Sequence, residues 1–243
     1  MTVRDETAVP AVREESDDAM DDVEPPPLDA SPRATLRWAI ETFPPERLAI
    51  LSAFGLGSVM INHWLWELGA RVPTFFIDTL YHFPETLEHV ETVRRRYDLD
   101  LRILRPASSR EEFEAIHGPR LWERDLDRFH YLTKVEPLQN ALADVRSLIT
   151  GRRRDQSPTR ANLTQYEPGR PSKINPLVFW TGPEVWQFVR DNEIPYNPLH
   201  DRGYTSIGDA PLTSPVQPGE PERAGRWRGL GRLECGIHSV QVP

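Results

Sequence analysis

The 243-residue chain holds one cysteine, Cys235. One thiol closes no intramolecular disulfide and supplies no cysteine-rich metal centre, which leaves it as inert filling or as a reactive group. Long apolar runs are missing as well, so nothing reads as a membrane span, and residues 1–30 are too acidic and polar for a signal peptide. Basic excess is also missing, since the formal net charge is −8. That charge is local: residues 1–30 carry ten acids against Arg4 and Arg13, a sum of −8, so residues 31–243 balance to zero. The acidic total therefore does not argue against an anionic ligand in the body of the chain. With Pro25-Pro26-Pro27 and almost no large apolar residue, the arm cannot offset its ordering entropy and is expected to be disordered. An unpaired cysteine fits a reducing, cytoplasmic setting, and neither a membrane nor a nucleic acid is expected as partner.

What is present alternates between two periods. Ser31-Pro32 followed by Ala34, Leu36, Trp38, Ala39 and Ile40 predicts a short helix with a Ser cap and Pro at its first position. Leu48 to Leu51 predicts a strand running into Ser52-Ala53-Phe54-Gly55-Leu56-Gly57-Ser58, after which Val59, Met60, Ile61, Trp64, Leu65 and Leu68 recur at helical spacing. Such a turn brings backbone N–H groups and small hydroxyls to a helix N-terminus, where an anion is favoured. The same turn can also be purely structural. It is not a Walker A loop, because no Gly-Lys-Ser/Thr follows. Val72 to Ile77 predicts a second strand ending on Asp78-Thr79, where ligands bind in parallel sheets; alternatively Asp78 caps a turn. Pro84-Glu85-Thr86 opens a helix through Tyr97, and Leu99 to Leu104 predicts a third strand by alternation, with Arg102 facing away from Leu101 and Ile103. Strands and helices in this order predict an α/β fold with a doubly wound, mostly parallel sheet and right-handed crossovers.

Residues 107–150 read as mostly helical, broken at Gly118-Pro119 and resuming through Leu138, Ala141, Leu142 and Val145. Behind them Arg152, Arg153, Arg154 and Arg160 fall in one Ser/Pro-punctuated loop. Four guanidiniums so close are costly unless an anion or acids neutralise them. A solvated charge run is the ordinary alternative, but the position behind an anion-binding turn favours phosphate or sulfate recognition. Lys173 begins the apolar run Ile174 to Trp180, and Thr181-Gly182-Pro183-Glu184 caps a helix. From Gly203 to Arg228 there is no apolar periodicity; loops of that length are functional or disordered. This one leads to Glu234-Cys235-Gly236-Ile237-His238, whose polar neighbours and near-terminal position favour a reactive thiol over an inert one.

In order along the chain, several segments resemble the assimilatory phosphoadenylyl-sulfate and adenylyl-sulfate reductases, thioredoxin-dependent enzymes that make sulfite. These are Ser52-Ala53-Phe54-Gly55, Asp78-Thr79 with Phe83-Pro84-Glu85-Thr86, Lys134-Val135-Glu136-Pro137-Leu138, Arg153-Arg154-Asp155-Gln156-Ser157, Gly203-Tyr204-Thr205-Ser206-Ile207-Gly208-Asp209 and Glu234-Cys235-Gly236-Ile237-His238. The resemblance spans roughly Leu48 to His238. It implies an adenine-nucleotide α-hydrolase-like fold, organised as the acidic arm (1–30), a sulfonucleotide-binding α/β domain (31–205) and a C-terminal loop and tail (206–243) that carries the cysteine. It further implies that Ser52, Phe54, Gly55, Gly57, Ser58, Lys134, Arg153, Arg154, Gln156, Ser157, Arg160, Lys173 and Arg232 bind the substrate, with Asp78 and Thr79 bordering its adenosine end. Cys235 is then the nucleophile that takes the sulfo group, the adenosine phosphate leaves, and thioredoxin or glutaredoxin supplies the resolving thiol. His238 either orients and protonates, or hydrogen-bonds only for position. A homo-oligomer is compatible with all of this.

Relatives that bind a [4Fe-4S] cluster carry two cysteine pairs, in whose places stand Phe129-His130 and Asp209 with Leu212, so no cluster and no metal is expected. Cluster-free relatives usually use the 3′-phosphorylated substrate, and Ser206-Ile207-Gly208-Asp209 resembles theirs. Pro218-Gly219-Glu220 with Arg223-Ala224-Gly225-Arg226-Trp227 looks more like the adenylyl-sulfate branch, which keeps a cluster-free adenylyl-sulfate reductase open. Leu80 departs from the Gly usual after Asp-Thr. A non-catalytic sulfonucleotide-binding module and an ATP-pyrophosphatase relative are the remaining alternatives; the second normally has a fuller Ser-Gly-Gly-x-Asp-Ser loop.

Overall fold

The computed structural model describes residues 23–27, 29–232 and 234–240, so the disorder expected of residues 1–22 lies outside the described residues. Six strands form one sheet in the order β3-β2-β1-β4-β6-β5. Five are parallel, and only the edge pair β5 (Tyr166–Glu167) and β6 (Ser172–Ile174) runs antiparallel. β1 (Leu48–Ser52) lies between β2 (Thr74–Ile77) and β4 (Ser147–Thr150), each buried along its whole length. Continuous burial matches a strand covered on both faces.

Side-chain alternation sorts the strands' residues onto two faces. Leu48, Ile50, Phe76, Ile149 and Ile174 share one core cluster with residues of α1 (Pro32–Thr42), α2 (Leu56–Glu67) and α3 (Pro84–Tyr97). The helix at Gly182–Asp191, numbered α8 below, adds Val185 and Val189 to that cluster. α2 is buried at every position from Gly57 to Leu65, as expected of a helix apolar on all sides with neighbours on each. On the opposite face Ala49, Leu51, Phe75, Ile77 and Leu148 meet Leu138, Leu142, Val145 and, from the C-terminal segment, Val240. Val23 packs against the first cluster and Pro26 is buried, so packed residues begin before residue 31.

The expected caps form. The Ser31 side chain accepts from Ala34 N–H, and Thr181 with Glu184 completes a capping box on α8. Residues 107–150 are mostly helical with a break at Gly118-Pro119, as expected, but their last four form a strand that the sequence reading did not separate. α4 (Arg110–His117), α5 (Leu121–Arg124) and α6 (Leu126–His130) are followed by one wide turn of π-helix, Tyr131–Val135, and by α7 (Glu136–Ala141). The chain then forms β4, the strand beside β1 that completes the centre of the sheet. β3 (Leu101–Leu104) exists, but the expected alternation does not: as an edge strand it leaves both Arg102 and Ile103 exposed.

Candidate active site

From β1 the chain crosses to β2 on one side, whereas β4 continues toward β6 on the other. The carboxyl ends of β1 and β4 thus mark the point where the winding reverses, and an open α/β sheet leaves a crevice there. A cavity of about 540 Å³ occupies it, lined by Ser52–Ser58 after β1, Thr79 after β2 and Gly151–Arg153 after β4. The two central turns touch. A Cβ on Gly57 would sit 2.9 Å from Gly151 O, and one on Gly151 would sit 2.8 Å from Ser58 N, so neither position has room for a side chain. Within the first turn Ser52 Oγ accepts from Phe54 N–H at 3.0 Å, and the Phe54 ring is buried edge-on against Phe76. Phe54 thus anchors the turn at the edge of the cavity that it helps to line.

The charged part of the lining comes from the loop after β4, from Lys134 and from residues 206–238. Arg152 reaches Glu167 at 2.5 Å, and Arg153 reaches Asp155 at 2.9 Å and Glu222 at 2.5 Å. Arg160 meets both oxygens of Glu234, at 2.8 and 2.9 Å. Burial pulls Arg152, Arg223 and Arg226 below their usual range, Arg223 to about 10 with help from the neighbouring Arg160 charge. Arg226 stacks on Trp227 with its guanidinium carbon 4.5 Å from the ring centroid, and donates to Ile207 O at 3.1 Å. Lys134 is ion-paired with the fully buried Asp209, whose other oxygen accepts from Thr79 Oγ1 at 2.7 Å. Burial opposes the Asp209 charge, but Lys134, His82 and Thr79 hold the carboxyl well below the carboxylate range.

Cys235 is a free, half-buried thiol on the cavity lining, packed against the cluster of Tyr81, Phe113, Leu121, Phe129, Leu212 and Trp227. Arg223 and Arg226 both lie within electrostatic reach of it. Gly236 adopts φ +90°, a left-handed turn that suits glycine, and His238 comes back to the same cavity. Burial, with the charges of Arg152, Arg160, Lys173 and Arg223, pushes the imidazole well below its usual value, so it is neutral at pH 7. Its buried Nδ1 has no hydrogen-bond partner among the described residues.

Of the residues expected at the site, the fold brings Ser52, Phe54, Gly55, Gly57, Ser58, Thr79, Lys134, Arg153, Gln156, Arg160, Cys235 and His238 to one cavity. Five others it does not bring there. Asp78 caps the turn instead: its Oδ1 accepts from Leu80 N–H at 3.0 Å, its Oδ2 binds Arg105 at 2.8 Å, and Leu80 sits at φ +69°, where the family's glycine would be unstrained. Arg154 is exposed, with its guanidinium on the Phe179 ring and on Leu163 O. Ser157 bonds Thr159 at 2.8 Å. Lys173 is buried on β6 behind the lining, paired in register with Glu167. Arg232 is held by Asp127 and by Glu234 O. In the other direction, the cavity also takes in Arg152, counted in the arginine cluster but not among the substrate-binding residues; Asp209, Arg223 and Arg226, whose segments share in the resemblance but were given no binding role; and Glu222, Trp186 and His200, which no motif marked. Phe129, His130, Asp209 and Leu212 are committed to packing, to Trp227 and to Lys134. Among the described residues no group of three or more His, Cys, Asp or Glu could hold a metal ion, and no helix is long and apolar enough to cross a membrane.

A mostly parallel six-stranded sheet with its cavity at the reversal of winding defines an α/β protein of the adenine-nucleotide α-hydrolase-like kind. Candida glabrata FMN adenylyltransferase, in complex with FMN and an ATP analogue, shares this fold at a TM-score of 0.55 and 17% identity, over 87% of this chain and 76% of that one. Within that class the chain belongs to the phosphoadenosine phosphosulfate reductase domain family, whose model matches residues 47–215. That match ends before Cys235. The chain is 43% identical over 219 residues to a phosphoadenosine phosphosulfate reductase of Emericella nidulans, covering 86% of this chain and 71% of that one. It is 39% identical over 209 residues to adenosine 5′-phosphosulfate reductase 1 of Bacillus subtilis, covering 84% and 89%. The crystal structure of a phosphoadenylyl-sulfate reductase from Candida auris, a phosphate complex, matches with a TM-score of 0.69 and 39% identity over 77% of this chain and 91% of that one.

Proposed function

We propose that the protein reduces 3′-phosphoadenylyl sulfate to sulfite and adenosine 3′,5′-bisphosphate, with Cys235 as nucleophile and an external dithiol of the thioredoxin or glutaredoxin type as reductant. The observation that carries this reading is the placement of the chain's only thiol on a nucleotide-sized cavity that also presents five guanidiniums, those of Arg152, Arg153, Arg160, Arg223 and Arg226. A sulfonucleotide is a dense anion, and it gives this concentration of buried cations a common ligand. The backbone N–H groups of the Ser52–Ser58 turn border the same space and suit the nucleoside and its bridging oxygens.

In the first step the Cys235 thiolate attacks the sulfate sulfur. A sulfur–sulfur bond forms, the sulfur–oxygen bond to the phosphate breaks, and the electron pair leaves on the phosphate oxygen. Arg223 and Arg226 stabilise negative charge on the incoming sulfur and the leaving group. Neutral His238 can accept or donate one hydrogen bond on the anion without adding charge. In the second step a partner thiolate attacks the Cys235 sulfur and sulfite departs; the partner's second thiol then closes its own disulfide and frees Cys235. An electron pair passes from dithiol to substrate sulfur. No iron–sulfur cluster enters this scheme, because the positions where cluster-binding relatives carry cysteine pairs hold Phe129, His130, Asp209 and Leu212, none of them a thiolate.

Mixing the protein with the nucleotide and no reductant is the decisive experiment. One sulfo group should appear on Cys235 by mass spectrometry, and a dithiol should then release it as sulfite; nucleotide binding without adduct would reduce the protein to a binding module. A second reading, adenylyl-sulfate reduction with release of AMP, draws on the Bacillus subtilis relative. Parallel assays with the two nucleotides separate them, and the proposal expects the higher kcat/KM with the 3′-phosphorylated one.

A further inference from the structure

Little in the backbone explains how Cys235 is aimed. Between Trp227, buried in the third core cluster, and Val240, buried in the second, the segment contains one turn of 3-10 helix at Ile237–Ser239. Gly229, Gly231 and Gly236 all adopt positive φ, which marks a path set by contacts and not by a regular element. The contacts converge on the residue next to the thiol. Glu234 Oε1 accepts from Arg160 Nε at 2.8 Å and from Thr159 Oγ1 at 3.3 Å, and Oε2 accepts from Arg160 Nη2 at 2.9 Å and from Arg223 Nη2 at 3.3 Å. The backbone is held too, since Arg232 Nε donates to Glu234 O at 2.8 Å while the same guanidinium is anchored to Asp127.

We infer that Glu234 is a positioning residue for the reaction: its carboxylate, gripped by Arg160 through Nε and Nη2 and steadied by Arg223, fixes the backbone that directs Cys235 Sγ into the cavity. The inference rests on the reading of Cys235 as nucleophile. An Arg–carboxylate pair with two parallel bonds fixes direction as well as distance, which a single contact does not. Two guanidiniums share one carboxylate, so the grip leaves positive charge for a substrate anion. Arg160 Nη1 is occupied as well, by Gln156 Oε1, which ties the aim of the thiol to the loop after β4. The carboxyl remains charged in the ordinary pH range, because Arg160 and Arg223 overcome the burial that would otherwise raise it.

Single-turnover sulfo transfer from 3′-phosphoadenylyl sulfate to Cys235, followed by intact mass at several nucleotide concentrations, tests the inference. Misaiming a nucleophile by about 1 Å costs roughly a hundredfold in rate. Glu234→Ala should therefore lower the maximal transfer rate by roughly that factor, with the half-saturating nucleotide concentration unchanged or lower, because Arg160 and Arg223 are released toward the anion. Glu234→Gln, isosteric and able to keep the Arg160 Nε bond, should show a smaller loss of the same kind, and it carries the test if the alanine variant does not fold. A transfer rate equal to wild type in both variants overturns the inference, as does a loss confined to the half-saturating concentration. A wild-type protein that forms no adduct overturns the function itself, and the two failures are thereby distinct.

Discussion

The turn after β1 and the loop after β4 border one cavity from adjacent strands, yet they meet opposite electrostatic demands. Ser52–Ser58 offers backbone N–H groups and hydroxyls that carry no net charge, some of them bonded within the turn as Ser58 Oγ is to Gly55 O at 3.0 Å, so it needs no counter-charge when empty. The β4 loop offers guanidiniums, and a buried charge without a partner is costly. Each is met by a carboxylate: Glu167 for Arg152, Asp155 and Glu222 for Arg153, Glu234 for Arg160. Two of these acids, Glu222 and Glu234, lie in the C-terminal segment that also brings the thiol. The comparison teaches that the cationic loop of this ligand-free fold comes with its own anions, and that two of them belong to the segment that carries Cys235.

The sharpest separation of chemistry from both parts of the lining is Cys235→Ser. Sulfite formation should fall to background while calorimetry shows nucleotide affinity largely unchanged; comparable turnover would remove the thiol from the mechanism. Next in size is Asp209→Ala, which strands Lys134 in a buried site and should cost about 3–5 kcal/mol in urea unfolding. A loss under 1 kcal/mol, the scale of exposed ion pairs, would mean that the pair is solvated. The contact between the two turns has its own weak point. Gly151→Ala pushes a methyl against Ser58 N and should cost about 1–3 kcal/mol; a neutral result would show that the two turns slide freely.

Acid should also tell the two parts apart. His89 lies within hydrogen-bonding reach of the Phe54 backbone, and burial lowers its pKa from 6.5 to about 4. Below pH 6.5 the unfolded chain takes up a proton that the folded chain refuses, so stability falls as pH drops from there toward 4 and levels off below. The loss at pH 5 is about 2 kcal/mol relative to a histidine that titrates normally. His89→Gln should flatten this limb in urea titrations, and an unchanged slope would assign it to other groups. Smallest in size is Arg153→Ala, which should weaken nucleotide binding by about tenfold, equivalent to about 1.4 kcal/mol, and by less at high salt. Salt-independent binding in that variant would count against an anion clamp.

Much of the fold could be read from local signals. Ser31-Pro32, the Ser52–Ser58 turn and Thr181–Glu184 each specify their element within a few residues. β4 was hidden because Ser147–Thr150 is a four-residue run behind an apolar helix, too short for periodicity to separate strand from helix. At strand ends the limit is orientation: of the adjacent Asp78 and Thr79 one faces Arg105 and the other the cavity, and Arg153 and Arg154 part in the same way. Arg223 and Arg226 stand in a segment that shares in the resemblance, but their place at the cavity was illegible for another reason. What brings them beside Arg160 is the packing of Trp227 against Phe129 and His130, a contact between positions 97 residues apart.

The solitary, half-buried sulfur of Cys235 also sets how the protein meets oxidants. A sulfenic acid formed there finds no second thiol in the chain with which to condense, so its repair calls for a thiol from outside. Under the proposed reaction the S-sulfo intermediate on Cys235 is resolved by the same kind of outside thiol, so the two demands would meet in one donor.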